Sequence, residues 1–141
     1  MDTPCVRSFT IRGKDFLGAG TVSTEIKSLL KELGVAPATI RRVAIATYEA
    51  EMNVVMYAEE ATLGLQVTPE SISITVADRG PGIPDVDAAM QEGFSTATTE
   101  MREMGFGAGM GLPNMKRNSD TFAITSTVGQ GTTVRMSFIV S

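Results

Sequence analysis

The sequence predicts an α+β protein, a two-layer α/β sandwich in which helices pack on one face of a mixed, mostly antiparallel sheet. Five segments have the alternating or β-branched pattern typical of strands, and four have the spacing or capping typical of helices. Their order, β-α-α-β-β-α-loop-α-β-β, differs from the repeating βαβ unit of parallel sheets. With 141 residues, 43% of them hydrophobic, the chain is expected to form one domain over residues 1–141.

The first half of the chain contains one predicted strand followed by two predicted helices. Val6 to Arg12 alternates in polarity, which predicts a half-buried or edge strand. Apolar residues recur at helical spacing from about Leu17 to Leu33, and Gly34 is a candidate C-cap. Pro37 suits the first position of the next helix, which is predicted to run to Ala58. This helix is apolar on most sides, so we expect it to be central and buried.

The second half of the chain is predicted to contain four strands and two shorter helices. Pro69 and Glu70 separate two β-type segments, which predicts a hairpin. The turn Val128 to Gly131 separates the closing strands, and the stretch Phe94 to Met110 has no clear period. The predicted elements are strands Ala61 to Thr68 and Ser71 to Asp78, a helix from Asp85 to Gly93 capped by Asp85, a helix from about Leu112 to about Ser119, and strands over 121–127 and 132–140.

The composition excludes several classes of protein. The chain has no histidine and a single cysteine, Cys5, which removes histidine-based triads, zinc triads, phosphohistidine chemistry and intrachain disulfides. The net charge of −4 and the lack of a Lys/Arg stripe argue against nucleic-acid binding. Apolar runs are far shorter than the ~18 residues of a membrane span, and no signal-peptide pattern is present. We therefore expect a cytoplasmic protein with no membrane or nucleic-acid partner.

The stretch YEAEMNVVMYA, Tyr48 to Ala58, places two polar side chains in an apolar face of the predicted central helix. Glu49 and Asn53 are four residues apart, so they lie one above the other on the same side. The apolar residues predicted on that side are Ile45, Ala46, Met52 and Met56. Because burying unpaired polar groups is costly, either the protein or a ligand must satisfy these two side chains.

The segment DRGPGIP, Asp78 to Pro84, places a carboxylate at the end of a predicted strand, followed by Gly80 and Gly82. In one interpretation Asp78 accepts a hydrogen bond from an exocyclic amine, and Gly82 lets a flat ring approach the backbone. In the other, the segment is a Pro-Gly turn capped by the aspartate, which is common. The segment alone favours the turn.

The Gly-rich run GFGAGMGL, Gly105 to Leu112, leads directly into the last predicted helix. It lacks the Gly-Lys-Ser/Thr ending of a P-loop, and the third glycine of a dinucleotide fingerprint would fall on Met110. Free N–H groups and the dipole at the start of a helix nevertheless favour phosphate. A flexible hinge is the competing interpretation. The later GQGTT segment, Gly129 to Thr133, is by itself only a hairpin turn.

Taken in order, these four signals resemble the GHKL, or Bergerat-fold, ATP-binding superfamily of gyrases, Hsp90-type chaperones, histidine kinases and mismatch-repair ATPases. The segments DRGPGI, GMGLPNMKR and GQGTTV resemble the anti-sigma factor serine/threonine kinases within it, and most of all the switch kinases of the bacterial stressosome. Two features depart from that pattern. The tract STATTEMREMGFGAG is longer than expected, and Glu51 and Met52 occupy variable positions of the helix motif and carry no predicted role.

The resemblance implies a role for each motif. Glu49 is the catalytic base that accepts or orients the proton of a seryl or threonyl hydroxyl, and Asn53 binds ATP through Mg²⁺. Asp78 recognises adenine, with Thr132 supporting it directly or through water. The remaining ATP-binding residues implied by the resemblance are Gly80, Gly82, Gly107, Gly109, Gly111 and Leu112. Residues 93–110 form a lid in which Arg102 contacts either phosphate or solvent.

The resemblance implies an ATP-dependent protein serine/threonine kinase. The expected substrate is a STAS-domain antagonist or scaffold protein in a partner-switching pathway that controls a stress response or a sigma factor. A PP2C-type phosphatase or a sigma factor is expected downstream, and a homodimer remains open. The alternative is an anti-sigma factor or co-activator whose ATP only sets its conformation. A detached histidine-kinase catalytic domain is a weaker third interpretation.

Overall fold

Nine elements make up the part of the chain that the computed structural model describes, residues 4–91 and 111–140. In chain order they are β1 (Cys5–Arg12), α1 (Thr21–Glu32), α2 (Pro37–Tyr57), β2 (Glu60–Val67), β3 (Ser71–Arg79), α3 (Val86–Ala89), α4 (Gly111–Asn118), β4 (Thr121–Thr127) and β5 (Gly131–Ile139).

The strands form one five-stranded sheet in the order β1-β2-β3-β5-β4. The predicted α+β class is confirmed. The sheet was expected to be mixed and mostly antiparallel, but all four pairs of described strands are antiparallel. Two of these pairs, β2–β3 and β4–β5, are hairpins. The two helices between β1 and β2 return the chain in the opposite direction, so that pair is antiparallel as well.

The helices cover one face of the sheet, and the core lies between the two layers. Burial alternates along β2, β3 and β5, as a sheet with one covered face requires. The side chains that this face buries include Leu63, Leu65, Ile72, Ile74, Val134, Met136 and Phe138. Helix α2 packs against α1, against α4 and against the sheet, which confirms the predicted central, buried helix.

Helix α1 begins at Thr21, four residues later than the apolar spacing predicts. The prediction is wrong at Leu17, whose side chain is fully exposed. Asp15 Oδ1 accepts a hydrogen bond from the Gly18 N–H at 3.0 Å, and Gly20 has a left-handed φ of +96°. This turn delays the start of the helix to Thr21, because the positive φ of Gly20 is incompatible with helical backbone.

Other boundaries differ from the predictions by a few residues. Asp85 caps α3 as predicted, since its Oδ1 accepts a hydrogen bond from the Ala88 N–H at 3.0 Å, but the helix ends at Ala89. Helix α1 ends at Glu32 with Leu33 as C-cap, and α2 ends at Tyr57 with Ala58 as C-cap. Helix α4 runs from Gly111 to Asn118, and β5 begins at Gly131. In the described ranges, no helix has both the length and the hydropathy needed to cross a membrane.

Candidate functional site

Helices α2 and α4 bring the predicted catalytic and metal-binding side chains together. A Cβ added to Gly111, the first residue of α4, would lie 3.2 Å from Asn53 Oδ1 and 3.5 Å from Glu49 Oε2. Both side chains of α2 therefore point at the start of α4, where backbone N–H groups and the helix dipole favour an anion. The missing side chain of Gly111 leaves this approach open.

The described residues satisfy Glu49 and Asn53 poorly. Asn114, one turn into α4, donates to Glu49 Oε1 at 3.4 Å, which is long for a hydrogen bond. Burial raises the pKa of the half-buried Glu49 carboxyl, and the hydrogen bond from Asn114 offsets only part of that rise in pKa. Within residues 4–91 and 111–140, no hydrogen-bond partner is found for the Asn53 side chain. These two groups are available to a ligand.

Leu112 is the second residue of α4, and its predicted role in ATP binding stays a prediction. Its side chain is buried and belongs to the hydrophobic core. It anchors the start of α4 to the core, so only its backbone can face a ligand. The predictions for Gly107, Gly109, Arg102 and the lid over residues 93–110 concern residues outside the described ranges.

Asp78 lies at the end of β3 and is held by the chain at one of its two oxygens. The Thr132 N–H donates to Asp78 Oδ1 at 3.0 Å. Burial raises the pKa of the Asp78 carboxyl, and the Thr132 hydrogen bond partly counteracts the rise in pKa. Asp78 and Thr132, which are 54 positions apart in sequence, are therefore in direct contact, while their role in recognising adenine stays a prediction.

The loop after β3 packs closely against the turn between β4 and β5. Gly82 has φ +76°, and a Cβ there would lie 2.4 Å from the Thr127 carbonyl oxygen. A Cβ on Gly131 would lie 2.1 Å from the Asp78 carbonyl oxygen. The protein's own backbone therefore requires glycine at both positions, whatever ligand is bound. Gly80, which faces the C-cap residue Ala58 of α2, is less crowded, with the nearest atoms at 3.2 Å.

Ser126 is a residue of this region that the sequence analysis missed. Its hydroxyl accepts a hydrogen bond from the Ile83 N–H at 2.7 Å and lies 2.8 Å from Thr132 Oγ1. It therefore connects β4, β5 and the loop after β3. The signal was present in the alternation of β4, where Ser126 follows Phe122 and Ile124 on the face that is turned to the core.

Glu51 is the second residue that the sequence analysis missed. The side chain is 2% exposed, and its carboxylate accepts hydrogen bonds from three N–H groups at the start of α1. The donors are Gly20 at 3.0 Å, Val22 at 3.2 Å and Ser23 at 2.9 Å. Glu51 thus caps α1 from α2. A carboxylate in a helix predicted to be buried on most sides needs a partner, and that was the available signal.

A family model, histidine kinase-like ATPase domain, matches residues 19–138. The chain belongs to this family. The match includes α2, the loop after β3, α4 and the GQGTT turn, so every residue of the candidate site lies inside it.

Two relatives within the family have informative names. The chain is 32% identical over 138 residues to serine/threonine-protein kinase RsbT of Bacillus subtilis, covering 95% of this chain and 94% of that protein. It is 34% identical over 118 residues to an anti-sigma F factor of Caldanaerobacter subterraneus subsp. tengcongensis, covering 80% of this chain and 79% of that protein. The predicted resemblance to GHKL anti-sigma kinases is confirmed.

A solved structure supports the fold. The mycobacterial sensor histidine kinase MprB superposes with a TM-score of 0.55 at 13% sequence identity, covering 99% of this chain and 97% of that chain. This likeness shows the fold alone, since so low an identity carries no information on substrate.

Proposed function

We propose that this protein is an ATP-dependent serine/threonine kinase that phosphorylates a STAS-domain partner in a partner-switching pathway. The observation that carries this proposal is the state of Glu49. It is a half-buried carboxylate with one weak hydrogen bond and a raised pKa, and it faces the start of α4 next to Asn53. A raised pKa brings a carboxylate closer to the range in which it can accept a proton.

The two ends of the site suit the two ends of ATP. Asp78 offers a carboxylate oxygen to the exocyclic amine of adenine, with Thr132 beside it. At the other end, the N-terminus of α4 offers N–H groups to the phosphates, and Gly111 leaves room for them. Gly107 and Gly109 precede this helix and are proposed to add phosphate contacts.

The residues present also fit Mg²⁺. In the described part of the chain, no cluster of three or more Asp, Glu, His or Cys could hold a metal ion alone. Mg²⁺ needs no such cluster, because it retains waters and commonly takes one or two protein ligands beside phosphate oxygens. Asn53 Oδ1 is a suitable oxygen without a described partner. When bound, Mg²⁺ would neutralise charge on the phosphates of ATP.

In the proposed reaction, Glu49 acts on the substrate hydroxyl. Its carboxylate accepts the hydrogen of a seryl or threonyl hydroxyl and orients the oxygen for attack on the terminal phosphorus. The O–P bond forms, the bond to the ADP oxygen breaks, and the proton passes to Glu49. Asn114, which hydrogen-bonds to Oε1, keeps the carboxylate turned toward the start of α4.

The names of the relatives support the class of reaction and of partner. RsbT is named a serine/threonine-protein kinase, and the other relative is named an anti-sigma F factor. We propose that the released partner or the kinase itself then acts on a PP2C-type phosphatase or a sigma factor. We also propose that residues 1–141 form one domain that acts in the cytoplasm, with a homodimer left open.

The similarity to anti-sigma F factors favours one second candidate, a binding module in which ATP only sets the conformation. A transfer assay separates the two. The protein is incubated with Mg²⁺ and ATP labelled at the γ-phosphate, together with a STAS-domain protein encoded near it. The kinase proposal expects label on a serine or threonine of the STAS protein. It is wrong if calorimetry shows ATP binding while no label is transferred.

Glu49→Gln sharpens this test, because it preserves the shape of the side chain but cannot accept the proton. We expect it to bind ATP normally and to transfer label at least about 100-fold more slowly. Glu32→Gln, a change of the same kind at an exposed carboxylate at the end of α1, serves as the matched control and should transfer label like the unchanged protein. If Glu49→Gln transfers label at the unchanged rate, Glu49 is not the base.

A further inference from the structure

The hydroxyls of Ser126 and Thr132 form a pair at one end of an otherwise apolar surface. The two residues are Cα partners in the β4–β5 ladder, and both face the helices together with Ile124 and Val134. Thr132 is buried, at 9% exposure. The pair is beside Asp78, because the Thr132 N–H donates to Asp78 Oδ1.

Counting hydrogens shows which directions these bonds can take. Ser126 has one hydroxyl hydrogen and already accepts the Ile83 N–H at 2.7 Å. That hydrogen has two acceptors within reach, Thr132 Oγ1 at 2.8 Å and the Gly131 carbonyl oxygen at 3.3 Å. Either hydroxyl can donate in the Ser126–Thr132 contact, and Ser126 donates there whenever Thr132 gives its own hydrogen to a ligand. When Ser126 donates to Thr132, the hydrogen of Thr132 is free to point away from Ser126.

In that arrangement, the chain of hydrogen bonds runs in one direction. The Ile83 N–H donates to Ser126, Ser126 donates to Thr132, and Thr132 has a hydrogen left to donate. Each bond in such a chain polarises the next, so the last hydroxyl becomes a better donor than an isolated threonine. The chain ends beside Asp78, which as a carboxylate can only accept.

An acceptor next to a donor matches one purine better than the other. Adenine has an amine that donates and, next to it on the same edge, the ring nitrogen N1 that accepts. In guanine, the ring nitrogen N1 next to the amine carries a hydrogen and donates. A carboxylate alone can accept from either amine. The neighbouring hydroxyl must donate if adenine is to be selected.

We propose that Ser126 is a positioning residue that orders the Thr132 hydroxyl as a donor to N1 of adenine, directly or through one water. This inference rests on the proposed function, in which Asp78 accepts from the adenine amine. Ser126 itself does not touch the nucleotide. It also holds the loop after β3 through the Ile83 N–H.

The experiment compares ATP with 1-deaza-ATP, in which a C–H replaces N1, by calorimetry in the presence of Mg²⁺. The unchanged protein should bind ATP roughly tenfold more tightly, as expected for one lost hydrogen bond at a desolvated site. In Ser126→Ala, the Thr132 hydroxyl is no longer ordered, and the ratio of the two dissociation constants should fall to about two or less. A merely structural role would weaken both ligands equally and leave the ratio unchanged.

Two further variants control this measurement. Ser126→Thr keeps the hydroxyl and should restore the preference for ATP. Thr121 and Ser137 form another hydroxyl pair across the same two strands, far from Asp78 and on the opposite face of the sheet. Thr121→Val removes that pair and should leave the ratio at its unchanged value.

The outcomes separate this inference from the proposed function. If the unchanged protein binds ATP but does not distinguish it from 1-deaza-ATP, or if Ser126→Ala keeps the full ratio, the role of Ser126 is overturned while ATP binding stands. If the unchanged protein binds neither nucleotide, the proposed function fails together with the role of Ser126.

Discussion

Two carboxylates two residues apart on helix α2 have opposite surroundings. Glu51 is 2% exposed, and three backbone N–H groups of another segment satisfy it. Glu49 is only half-buried, and among residues 4–91 and 111–140 its hydrogen bond is a single long one, from Asn114. Because they are about 200° apart around the helix, they face different sides of it. The more buried carboxylate is the better satisfied one.

This difference shows how one helix can serve two purposes. On the Glu51 side, the protein closes its own hydrogen bonds and joins α1 to α2. On the Glu49 side, it leaves a carboxylate and an amide poorly satisfied and directs them at a helix N-terminus. Full satisfaction by the chain indicates a structural group, and poor satisfaction near an anion-binding helix end indicates a group that awaits a ligand.

The largest expected effect is on phosphate transfer. Glu49→Gln should lower kcat/KM by about 100- to 10,000-fold, the usual contribution of a general base. Stability should change in the opposite direction, because Glu49→Gln is expected to lower activity but not stability. A raised pKa means that the folded state favours the protonated form, so the stability from this group is present at low pH and is lost as pH rises through the raised pKa.

At neutral pH the ionised Glu49 therefore destabilises the folded state, and the glutamine variant should melt at the same temperature or higher. Thermal unfolding followed by circular dichroism at neutral pH and at acid pH checks this. The advantage of the variant should shrink as the pH is lowered. A clearly lower melting temperature at neutral pH would contradict the interpretation that Glu49 is poorly satisfied.

The second prediction concerns Glu51, where we expect a large loss of stability and only a small change in phosphate transfer. Glu51→Gln keeps only one acceptor atom for three N–H groups and loses the charge that interacts with the α1 dipole. We expect a loss of about 2–4 kcal/mol in the free energy of unfolding, measured with urea, since hydrogen bonds to buried charged groups contribute roughly 1.5–3 kcal/mol each. The transfer rate per folded molecule should change much less than in Glu49→Gln.

The exposed Glu32→Gln change should leave the urea midpoint unaltered. Equal stability of the Glu51 and Glu32 variants would show that the contacts with Gly20, Val22 and Ser23 contribute nothing. That result would remove the structural half of the comparison.

The third prediction uses pH. Burial raises the pKa of Glu49, so its carboxylate is protonated at a higher pH than an ordinary glutamate. As the pH is lowered, kcat/KM should therefore begin to fall above the ordinary range of a glutamate, and then by about tenfold per pH unit. Asp78 also has a raised pKa, from burial, and its protonation should weaken ADP binding. ADP binding by Glu49→Gln, measured against pH, isolates the Asp78 contribution. Flat ADP affinity across the acid range would exclude Asp78 from nucleotide binding.

The smallest expected effect is at the point where α2 and α4 meet. A Cβ at Gly111 would lie 3.2 Å from Asn53 Oδ1, which is closer than ordinary contact, so Asn53 must shift by a few tenths of an ångström. Gly111→Ala should weaken ATP binding by about three- to tenfold. It should leave the stability of the protein nearly unchanged, since alanine suits a helix start. Gly34→Ala, at an open left-handed position, should instead affect stability and spare ATP binding.

Much of the fold follows from the sequence, because strand alternation and helix periodicity are local. The identity of every described strand and of the central helix α2 was predictable, and so was the shared side of Glu49 and Asn53, which depends only on 3.6 residues per turn. Asp78 at the end of a strand was predictable for the same reason. The start of α1 was not, since the turn at Asp15 overrides the apolar spacing there.

The tertiary structure alone decided which polar groups form hydrogen bonds with each other. Glu51 accepts hydrogen bonds from N–H groups about 30 residues away, and Ser126 accepts one from the Ile83 N–H. Gly111 lies beside Asn53, which is 58 positions away in the sequence. No local pattern encodes such partners, because they depend on how separate elements pack. The sequence by itself determined where the polar groups stand on their helices and strands. Packing determined which of them the described part of the protein satisfies and which remain available to a ligand.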